Sequence, residues 1–203
     1  LLDIDGTLLD FKQAEQSALS GVLQQAALPC DDAAIEVFSR ISEEHWRAYE
    51  RGEIKKEKML VQRFSAFLAE IGAEGNAAQL NKAYVDRLAN EAHLIPGAPE
   101  LLGELAEFAT LAAVSNGLTK VQMSRIEKSG LLPYFDKVYI SEKMGTEKPA
   151  ARFFDMVIKD LGIRNRKKVL VVGDSLTADI QGAANAKLDS CWCNFTRMEN
   201  DLT

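Results

Sequence analysis

The stretch LLDIDGTLLDF, residues 1–11, places two carboxylates, Asp3 and Asp5, directly after an apolar run and directly before Gly6 and Thr7. A short apolar run bounded by a turn signal is typical of a buried β-strand. Gly6 supplies the turn, because glycine adopts backbone conformations that other residues avoid. We therefore expect both acids to lie at the carboxyl end of the first strand and to serve one site.

Composition limits what the protein can do. Its 203 residues are 47% apolar and 27% charged, which is ordinary for a chain that buries a sizeable core. The net charge of -6 argues against a nucleic-acid polymer as partner, because binding one requires many cationic contacts to phosphates. No apolar run approaches the roughly 20 residues of a membrane span, and no signal peptide is visible. Cys30, Cys191 and Cys193 include no CxxC pair, so we expect reduced thiols and a cytoplasmic location.

Two sequence patterns divide the chain. Residues 13–92 carry apolar side chains three and four positions apart, in runs such as AIEVFSRISEEHWRAY, which indicates helices. From residue 93 onward the apolar runs TLAAVS, KVYIS and KVLVVGD alternate with helical segments, which is typical of a parallel sheet. We predict an α/β fold in which residues 1–12 and 93–203 form a doubly wound, mostly parallel sheet, with a helical domain inserted at residues 13–92.

Four carboxylates are predicted to lie at one edge of this sheet. Asp3 and Asp5 follow the first apolar run, and Asp174 and Asp179 follow the last one. Open α/β sheets bind their ligands beyond the carboxyl ends of the strands, so these acids fall where a site is expected. Crowded carboxylates repel one another unless a cation lies among them, and Mg²⁺ prefers oxygen ligands. The sequence therefore predicts Mg²⁺ as the cofactor.

A second group of residues at the same edge suits a tetrahedral phosphoryl group. Lys148, from the loop GTEKP, supplies a positive charge, and Ser115, after the second apolar run, supplies a hydroxyl. The backbone N–H groups expected to complete this cradle belong to Gly6, Thr7, Asn116 and Gly117. Phosphoryl transfer then leaves one carboxylate to act as nucleophile and its neighbour to act as acid and base.

Four segments, DIDGT, VSNG, EKP and GDSLTADI, resemble in this order the four motifs of the haloacid dehalogenase superfamily of aspartate-nucleophile phosphatases. The resemblance implies that Asp3 attacks phosphorus and forms an aspartyl-phosphate. It implies that Asp5 protonates the leaving oxygen and then deprotonates the water that clears the intermediate. Ser115 would hold a phosphoryl oxygen, and Lys148 would neutralise charge on the nucleophile and the phosphate.

The same resemblance implies a metal site. Asp174 would bind Mg²⁺ together with Asp3 and the backbone carbonyl of Asp5. Asp179 would be an outer acceptor that orients Lys148 or a metal-bound water. The acid at position 5 also favours phosphatases and phosphomutases over the dehalogenating members of the superfamily, which need no acid at that position.

The helical insertion resembles a C1 cap, a lid that closes over the site and contacts the leaving group. Candidates for those contacts are Phe11, beside the nucleophile loop, and Trp46, Arg47 and Tyr49 in the insertion. Helix packing is the alternative interpretation of the two cap aromatics. A solvated helix face is the alternative interpretation of Arg47.

Longer similarities, including LIPGAPELL, VVGDSLTADIQGAANA and CWCN, resemble the bacterial house-cleaning pyrimidine 5′-nucleotidases. We therefore expect a small phosphorylated metabolite as partner, most of all a nucleoside 5′-monophosphate, and a monomer or homodimer without membrane contact. The alternatives of the same chemistry are a phosphoglycolate or sugar-phosphate phosphatase and a β-phosphoglucomutase. A catalytically silent binding protein is the alternative of a different class, but the intact set of acids and Lys148 argues against it.

Overall fold

Helices fill the first half of the chain after its opening turn. Their bounds are α1 (Phe11–Gln25), α2 (Asp32–Glu50), α3 (Lys56–Glu70) and α4 (Ala77–Leu88). Two of them begin at side-chain caps: Asp31 accepts a hydrogen bond from the N–H of Ala34, and Asn76 accepts one from the N–H of Gln79. The helices predicted from the apolar spacing of this segment are confirmed.

The computed structural model describes residues 1–195, and these fall into two units. Lys12–Glu91 make up one, here called the helical unit, while Leu1–Phe11 join the chain from Ala92 onward in the other, the α/β unit. Among the described residues, no helix combines the length and apolar character that crossing a bilayer requires.

An aromatic cluster forms the centre of the helical unit. The ring of Phe38 lies 4.7 Å from that of Phe64, 5.7 Å from that of Phe67 and 5.6 Å from that of Tyr84, measured between centroids. The guanidinium of Arg63 is buried against these rings, 4.9 Å from the Tyr84 centroid, and donates to the Ser42 hydroxyl. Such tilted and edge-on pairs, with a cation over their faces, are favourable beyond simple burial.

Strands and helices alternate in the α/β unit. Its strands are β1 (Ala112–Ser115), β2 (Lys137–Ile140), β3 (Leu170–Gly173) and β4 (Asp189–Trp192). Its helices are α5 (Ala98–Ala106), α6 (Thr119–Lys128), α7 (Ser141–Met144), α8 (Ala151–Asp160) and α9 (Gln181–Asn185). Short 3₁₀ turns lie at Leu132–Tyr134 and Arg166–Lys168.

The strands pair in parallel, β1 with β2 and β3 with β4. Leu2 connects the two pairs, because it makes parallel bridges with Ala113 of β1 and Val172 of β3. The N–H of Leu2 donates to the Ala112 carbonyl, and the N–H of Asp3 donates to the Val172 carbonyl, both at 2.9 Å. The order across this region is β2, β1, the first residues, β3, β4, so the carboxyl ends of the strands share one edge.

Apolar side chains of the strands enter two separate clusters. Leu2 and Ala113 pack with Ile126 of α6 in one cluster, whereas Val114 packs with Phe153 of α8 in the other. Successive side chains of a strand point to opposite faces, which is why Ala113 and Val114 separate in this way.

Three elements differ from the sequence prediction. The first residues pair through isolated bridges at Leu2 rather than as a regular strand, and the chain then turns at Gly6. The segment LTADI forms a π-helical turn (Leu176–Ile180) before α9 instead of the start of an α-helix. β4 lies in the segment DSCW, which lacks an apolar run and therefore gives no periodic signal.

Candidate active site

The turn after Ile4 sets the geometry of the first motif. The N–H of Gly6 donates to the Leu9 carbonyl, and the N–H groups of Leu8 and Leu9 both donate to the Ile4 carbonyl. Gly6 has a φ of 78°, in the left-handed region that favours glycine. A Cβ at Gly6 would lie 2.2 Å from Oδ2 of Asp174. The missing side chain therefore permits both the turn and the close approach of Asp174.

Lys148 is the central cation of the site and is 2% exposed. Its Nζ donates to Oδ1 of Asp3 at 2.5 Å, to Oδ1 of Asp179 at 2.7 Å and to the Val114 carbonyl at 3.1 Å. An ammonium has three donors, so these contacts use all of them. Because an unpaired buried charge is costly, the two carboxylates keep Lys148 charged and fixed in direction.

Asn116 holds the backbone of Lys148 in place. Its Nδ2 donates to the Lys148 carbonyl at 2.7 Å, and its Oδ1 accepts from the Lys148 N–H at 2.9 Å. The peptide bond between Lys148 and Pro149 is cis. The side chain of Asn116 is thus used to join the loop after β1 to the loop that carries Lys148.

Three acids form a group that could hold a metal ion. Asp3, Asp174 and Asp179 each offer a carboxylate oxygen, and these oxygens lie within 4.8 Å of one another. The hydroxyl of Thr7 lies 3.4 Å from Oδ2 of Asp3 and 3.3 Å from Oδ1 of Asp174, and it donates between them. Clustered oxygen donors of this kind suit a hard divalent cation.

Asp179 is already engaged on both of its oxygens. Oδ1 accepts from Lys148, and Oδ2 accepts from the N–H of Ser175 at 3.2 Å. Gly173 makes room for it, because a Cβ there would lie 2.3 Å from the Asp179 carboxylate. Oδ2 of Asp3 and Oδ1 of Asp174 meet only the long contacts of the Thr7 hydroxyl, so these oxygens are better placed than those of Asp179 to turn toward a cation.

Burial and crowding shift the pKa values of this group. Burial raises the pKa of Asp3 well above its usual value; Lys148 opposes the shift, and the carboxylates of Asp179 and Asp174 add to it. Burial, followed by repulsion from Asp179, raises the pKa of Asp174 to about 6. Burial alone would lower the pKa of Lys148, but Asp179 and Asp3 outweigh it and raise that pKa. A cation bound among the acids would offset the repulsion that drives these shifts.

Two of the predicted backbone donors are used inside the protein. The N–H of Gly117 donates to Oγ of Ser115 at 3.0 Å, and the N–H of Gly6 closes its own turn. Both loops are tight, so their amides bond to the nearest acceptor. In this structure these two amides stabilise the loops, whereas Ser115, Thr7 and Lys148 contribute polar side chains.

The carboxylate of Asp5 is not part of the group formed by Asp3, Asp174 and Asp179. It contacts two residues that the sequence did not single out. Gln122 of α6 donates from Nε2 to Oδ2 of Asp5 at 2.8 Å, and Arg125 forms an ion pair with Oδ1. The Arg125 guanidinium also lies 5.7 Å from the ring centroid of Phe11. The signal was present in VQMSRI, because polar side chains three positions apart share a helix face, but such pairs usually face solvent.

Trp192 of β4 is a second contact that the sequence did not reveal. Its indole N–H donates to the backbone carbonyl of Asp174 at 2.8 Å. The N–H of Cys193 donates to the carbonyl of Gly173, one residue earlier. The end of β4 thus fixes the backbone on which Asp174 is carried.

The three remaining candidates lie in the helical unit. Trp46 and Tyr49 stack edge-on at 5.8 Å, and Lys56 lies 5.1 Å from the Tyr49 ring, which is buried. Arg47 is exposed and pairs with Glu43 one turn away at 2.5 Å. Within this unit, Tyr49 is a packed, buried residue, and Arg47 lies on a solvated helix face.

Fold and site together define a hydrolase class. Four motif segments converge at one edge of parallel strands, around a buried lysine and a group of carboxylates. The model of the haloacid dehalogenase-like hydrolase family matches residues 1–193, and the chain belongs to that family.

Individual relatives are similar along most of the chain. Pyrimidine 5′-nucleotidase PynA of Streptococcus pneumoniae is 37% identical over 201 residues, covering 98% of this chain and 85% of PynA. Pyrimidine 5′-nucleotidase YjjG of Escherichia coli is 32% identical over 162 residues, covering 80% and 71%. The crystal structure of the HAD hydrolase YfnB of Bacillus subtilis, bound to magnesium, superposes with a TM-score of 0.94 at 35% identity, covering 99% of this chain and 88% of YfnB.

Proposed function

We propose that this protein is a Mg²⁺-dependent phosphomonoesterase that forms an aspartyl-phosphate on Asp3 and acts on pyrimidine nucleoside 5′-monophosphates. The observation that carries the proposal is the buried contact of Lys148 with Asp3, next to the carboxylate of Asp174. A nucleophilic carboxylate beside a fixed cation suits attack on a phosphoryl group, whose charge grows in the transition state. The similarity to two pyrimidine 5′-nucleotidases supports the substrate class.

The chemistry divides between two acids. Asp3 attacks phosphorus, the ester P–O bond breaks, and the leaving oxygen takes the proton of Asp5. Water then attacks the phosphoryl group on Asp3, Asp5 takes a proton from that water, and phosphate leaves with Asp3 restored. The positive charge of Lys148 and a hydrogen bond from the Ser115 hydroxyl stabilise the phosphoryl oxygens in both steps.

The clustered carboxylates of Asp3 and Asp174 would hold Mg²⁺, and the family resemblance adds the backbone carbonyl of Asp5 as a further ligand. Asp179 would act as an outer acceptor through Lys148. When bound, the ion supplies positive charge that stabilises the transferring group. Its removal with a chelator should abolish phosphate release, and Mg²⁺ should restore it.

The rest of the fold takes its proposed role from the same family. The α/β unit is a doubly wound core, and its two apolar clusters, built from alternate strand residues, support that proposal. The helical unit is a C1 cap whose Trp46, Arg47 and Tyr49, with Phe11 of the α/β unit, contact the leaving group. The substrate is a small phosphorylated metabolite. The protein acts in the cytoplasm as a monomer or homodimer.

The first experiment measures Mg²⁺-dependent phosphate release from UMP, dUMP, dTMP, AMP, GMP, phosphoglycolate and glucose 6-phosphate. We expect the three pyrimidine nucleotides to give the largest kcat/KM. A preference for phosphoglycolate or the sugar phosphate would contradict the proposed substrate class but would agree with the proposed phosphatase chemistry. Conversion of a hexose 1-phosphate into its 6-phosphate would instead identify a β-phosphoglucomutase.

Replacing Asp3 with asparagine tests the mechanism. The amide keeps the size of the side chain but cannot form the aspartyl-phosphate, so turnover should fall to the background of the uncatalysed reaction. Release of phosphate at the wild-type rate by this variant would refute a nucleophilic Asp3.

A further inference from the structure

We infer that Gln122 and Arg125 of α6 are positioning residues: they hold the Asp5 carboxylate in its catalytic direction and set the Ser115 hydroxyl as a donor. The inference rests on the proposed function and extends it to two residues outside the four motifs. Both side chains are buried, Gln122 at 1% exposure and Arg125 at 0%.

Each oxygen of Asp5 has its own donor. Nε2 of Gln122 lies 2.8 Å from Oδ2, and a guanidinium nitrogen of Arg125 pairs with Oδ1. The same nitrogen of Arg125 lies 3.4 Å from Oε1 of Gln122, so the two side chains also contact each other. With both oxygens bonded, the carboxylate plane cannot rotate freely.

Burial gives this arrangement a direction. The Arg125 side chain is completely buried, whereas the Asp5 side chain is 27% exposed. The cation therefore lies beneath the carboxylate and leaves only its open edge accessible to a reacting group. Removing one partner of a buried ion pair leaves the other charge uncompensated, so Arg125 depends on Asp5 whenever Asp5 is deprotonated.

Gln122 also decides the polarity of Ser115. Oγ of Ser115 accepts from Nε2 of Gln122 at 2.7 Å and from the N–H of Gly117 at 3.0 Å. A hydroxyl has two acceptor sites and one proton, so these bonds leave Ser115 its proton to donate. An anionic phosphoryl oxygen is the acceptor that this donor suits.

The close approach of Gln122 depends on Gly117. A Cβ at Gly117 would lie 2.7 Å from the side-chain amide carbon of Gln122. The backbone of Gly117 is not in the left-handed region, so a steric reason remains for glycine in VSNG. The loop after β1 and the face of α6 are thus fitted to one another through Gln122.

The test compares two esters that differ in their need for a general acid. Nucleoside monophosphates have a poor leaving group, whereas 4-nitrophenyl phosphate releases an acidic phenol that needs little protonation. In Gln122→Met and Arg125→Met, kcat/KM for UMP should fall about 100-fold, the lower range for lost general-acid catalysis. For 4-nitrophenyl phosphate the loss should be several-fold smaller. Arg125→Lys, which keeps the charge, should recover part of the loss on UMP.

The control is Glu127→Gln, an exposed change on the same helix, which should leave both rates unchanged. Thermal unfolding of each variant separates misfolding from misplacement; if Arg125→Met does not fold, Gln122→Met and Arg125→Lys decide. Equal losses on both esters in folded variants, or no loss on either, would overturn the inference. If the wild-type protein hydrolyses neither ester, the proposed function is overturned instead.

Discussion

At the residue scale, Lys148 joins three parts of the α/β unit. Its ammonium contacts Asp3 near the start of the chain, Val114 in β1 and Asp179 in the π-helical turn. All three contacts are buried, so their strength is not lost to solvent screening. The residue proposed to act on phosphate is therefore also a structural tie among distant segments.

Lys148→Met should destabilise the metal-free protein by about 3–5 kcal/mol, because it leaves Asp3 and Asp179 buried without their cation. Urea unfolding at pH 7 measures the change. The double variant Lys148→Met, Asp179→Asn should recover part of the loss, since it removes one of the two stranded charges. A single variant as stable as the wild type would contradict this account of the site.

Asp174 should make the metal-free protein less stable as pH rises. Its pKa is about 6 in the folded protein against an ordinary value of 3.8, so the folded state holds the proton more tightly. This contribution to stability is complete below about pH 4 and is lost as pH passes through about 6, and amounts to about 3 kcal/mol at 1.36 kcal/mol per unit.

The measurement is unfolding free energy against pH, compared with Asp174→Asn. The asparagine variant should show a smaller fall between pH 4 and 6 than the wild type, because only the raised pKa of Asp3 then contributes to it. Saturating Mg²⁺ should oppose the fall, because the ion binds the deprotonated carboxylates. Parallel curves for the two proteins without metal would show that Asp174 is not the group responsible.

At the scale of elements, the turn around Gly6 combines two requirements. It needs a left-handed backbone, and it needs empty space beside the Asp174 carboxylate. Gly162, after α8, shares only the first requirement: its φ is 68°, and a Cβ there would meet no atom within 4 Å. The two glycines therefore separate backbone strain from crowding of the site.

Both Gly6→Ala and Gly162→Ala should lose about 1–2 kcal/mol of stability, from the strain of a left-handed alanine. Gly6→Ala should in addition weaken Mg²⁺ binding about 10-fold or more, because the new methyl displaces a carboxylate proposed as ligand. Calorimetric titration with Mg²⁺ distinguishes them. Equal Mg²⁺ affinity in the two variants would show that the crowding at Gly6 is relieved without moving Asp174.

The sequence predicts elements better than it predicts contacts between them. Apolar spacing located α1 to α4 and three of the strands, because burial imposes a period on each segment by itself. Gln122, Arg125 and Trp192 were missed because their roles depend on a partner in another segment. A glutamine or arginine on a short helix carries no local sign that it will be buried.

At the scale of the whole molecule, each unit has its own apolar core. Phe64 lies in the aromatic cluster of the helical unit, and Phe153 lies in the α/β unit, both fully buried. The predicted division at residues 12–13 and 92–93 rested on a change of pattern from helical spacing to alternating strands and helices. That pattern predicts the secondary structure of single segments. It does not predict that Leu2 pairs with both β1 and β3, because this pairing depends on the fold as a whole.

Phe64→Ala and Phe153→Ala should each cost about 3–5 kcal/mol, but in different parts of the chain. Hydrogen exchange should show lost protection chiefly within residues 12–91 for Phe64→Ala and in the α/β unit for Phe153→Ala. Mg²⁺ affinity should stay unchanged in Phe64→Ala. Uniform loss of protection across both units in either variant would show that they unfold as one.

The position of Leu2 between β1 and β3 has a consequence for biosynthesis. A ribosome makes the residues around Leu2 before their hydrogen-bonding neighbours Ala112 and Val172, which lie more than a hundred residues later in the chain. At 5–20 residues per second, the second neighbour emerges about ten to thirty seconds later. The segment that carries Asp3 therefore lacks its second neighbour until Val172 has been made, and the acid group around Lys148 cannot assemble before that strand exists.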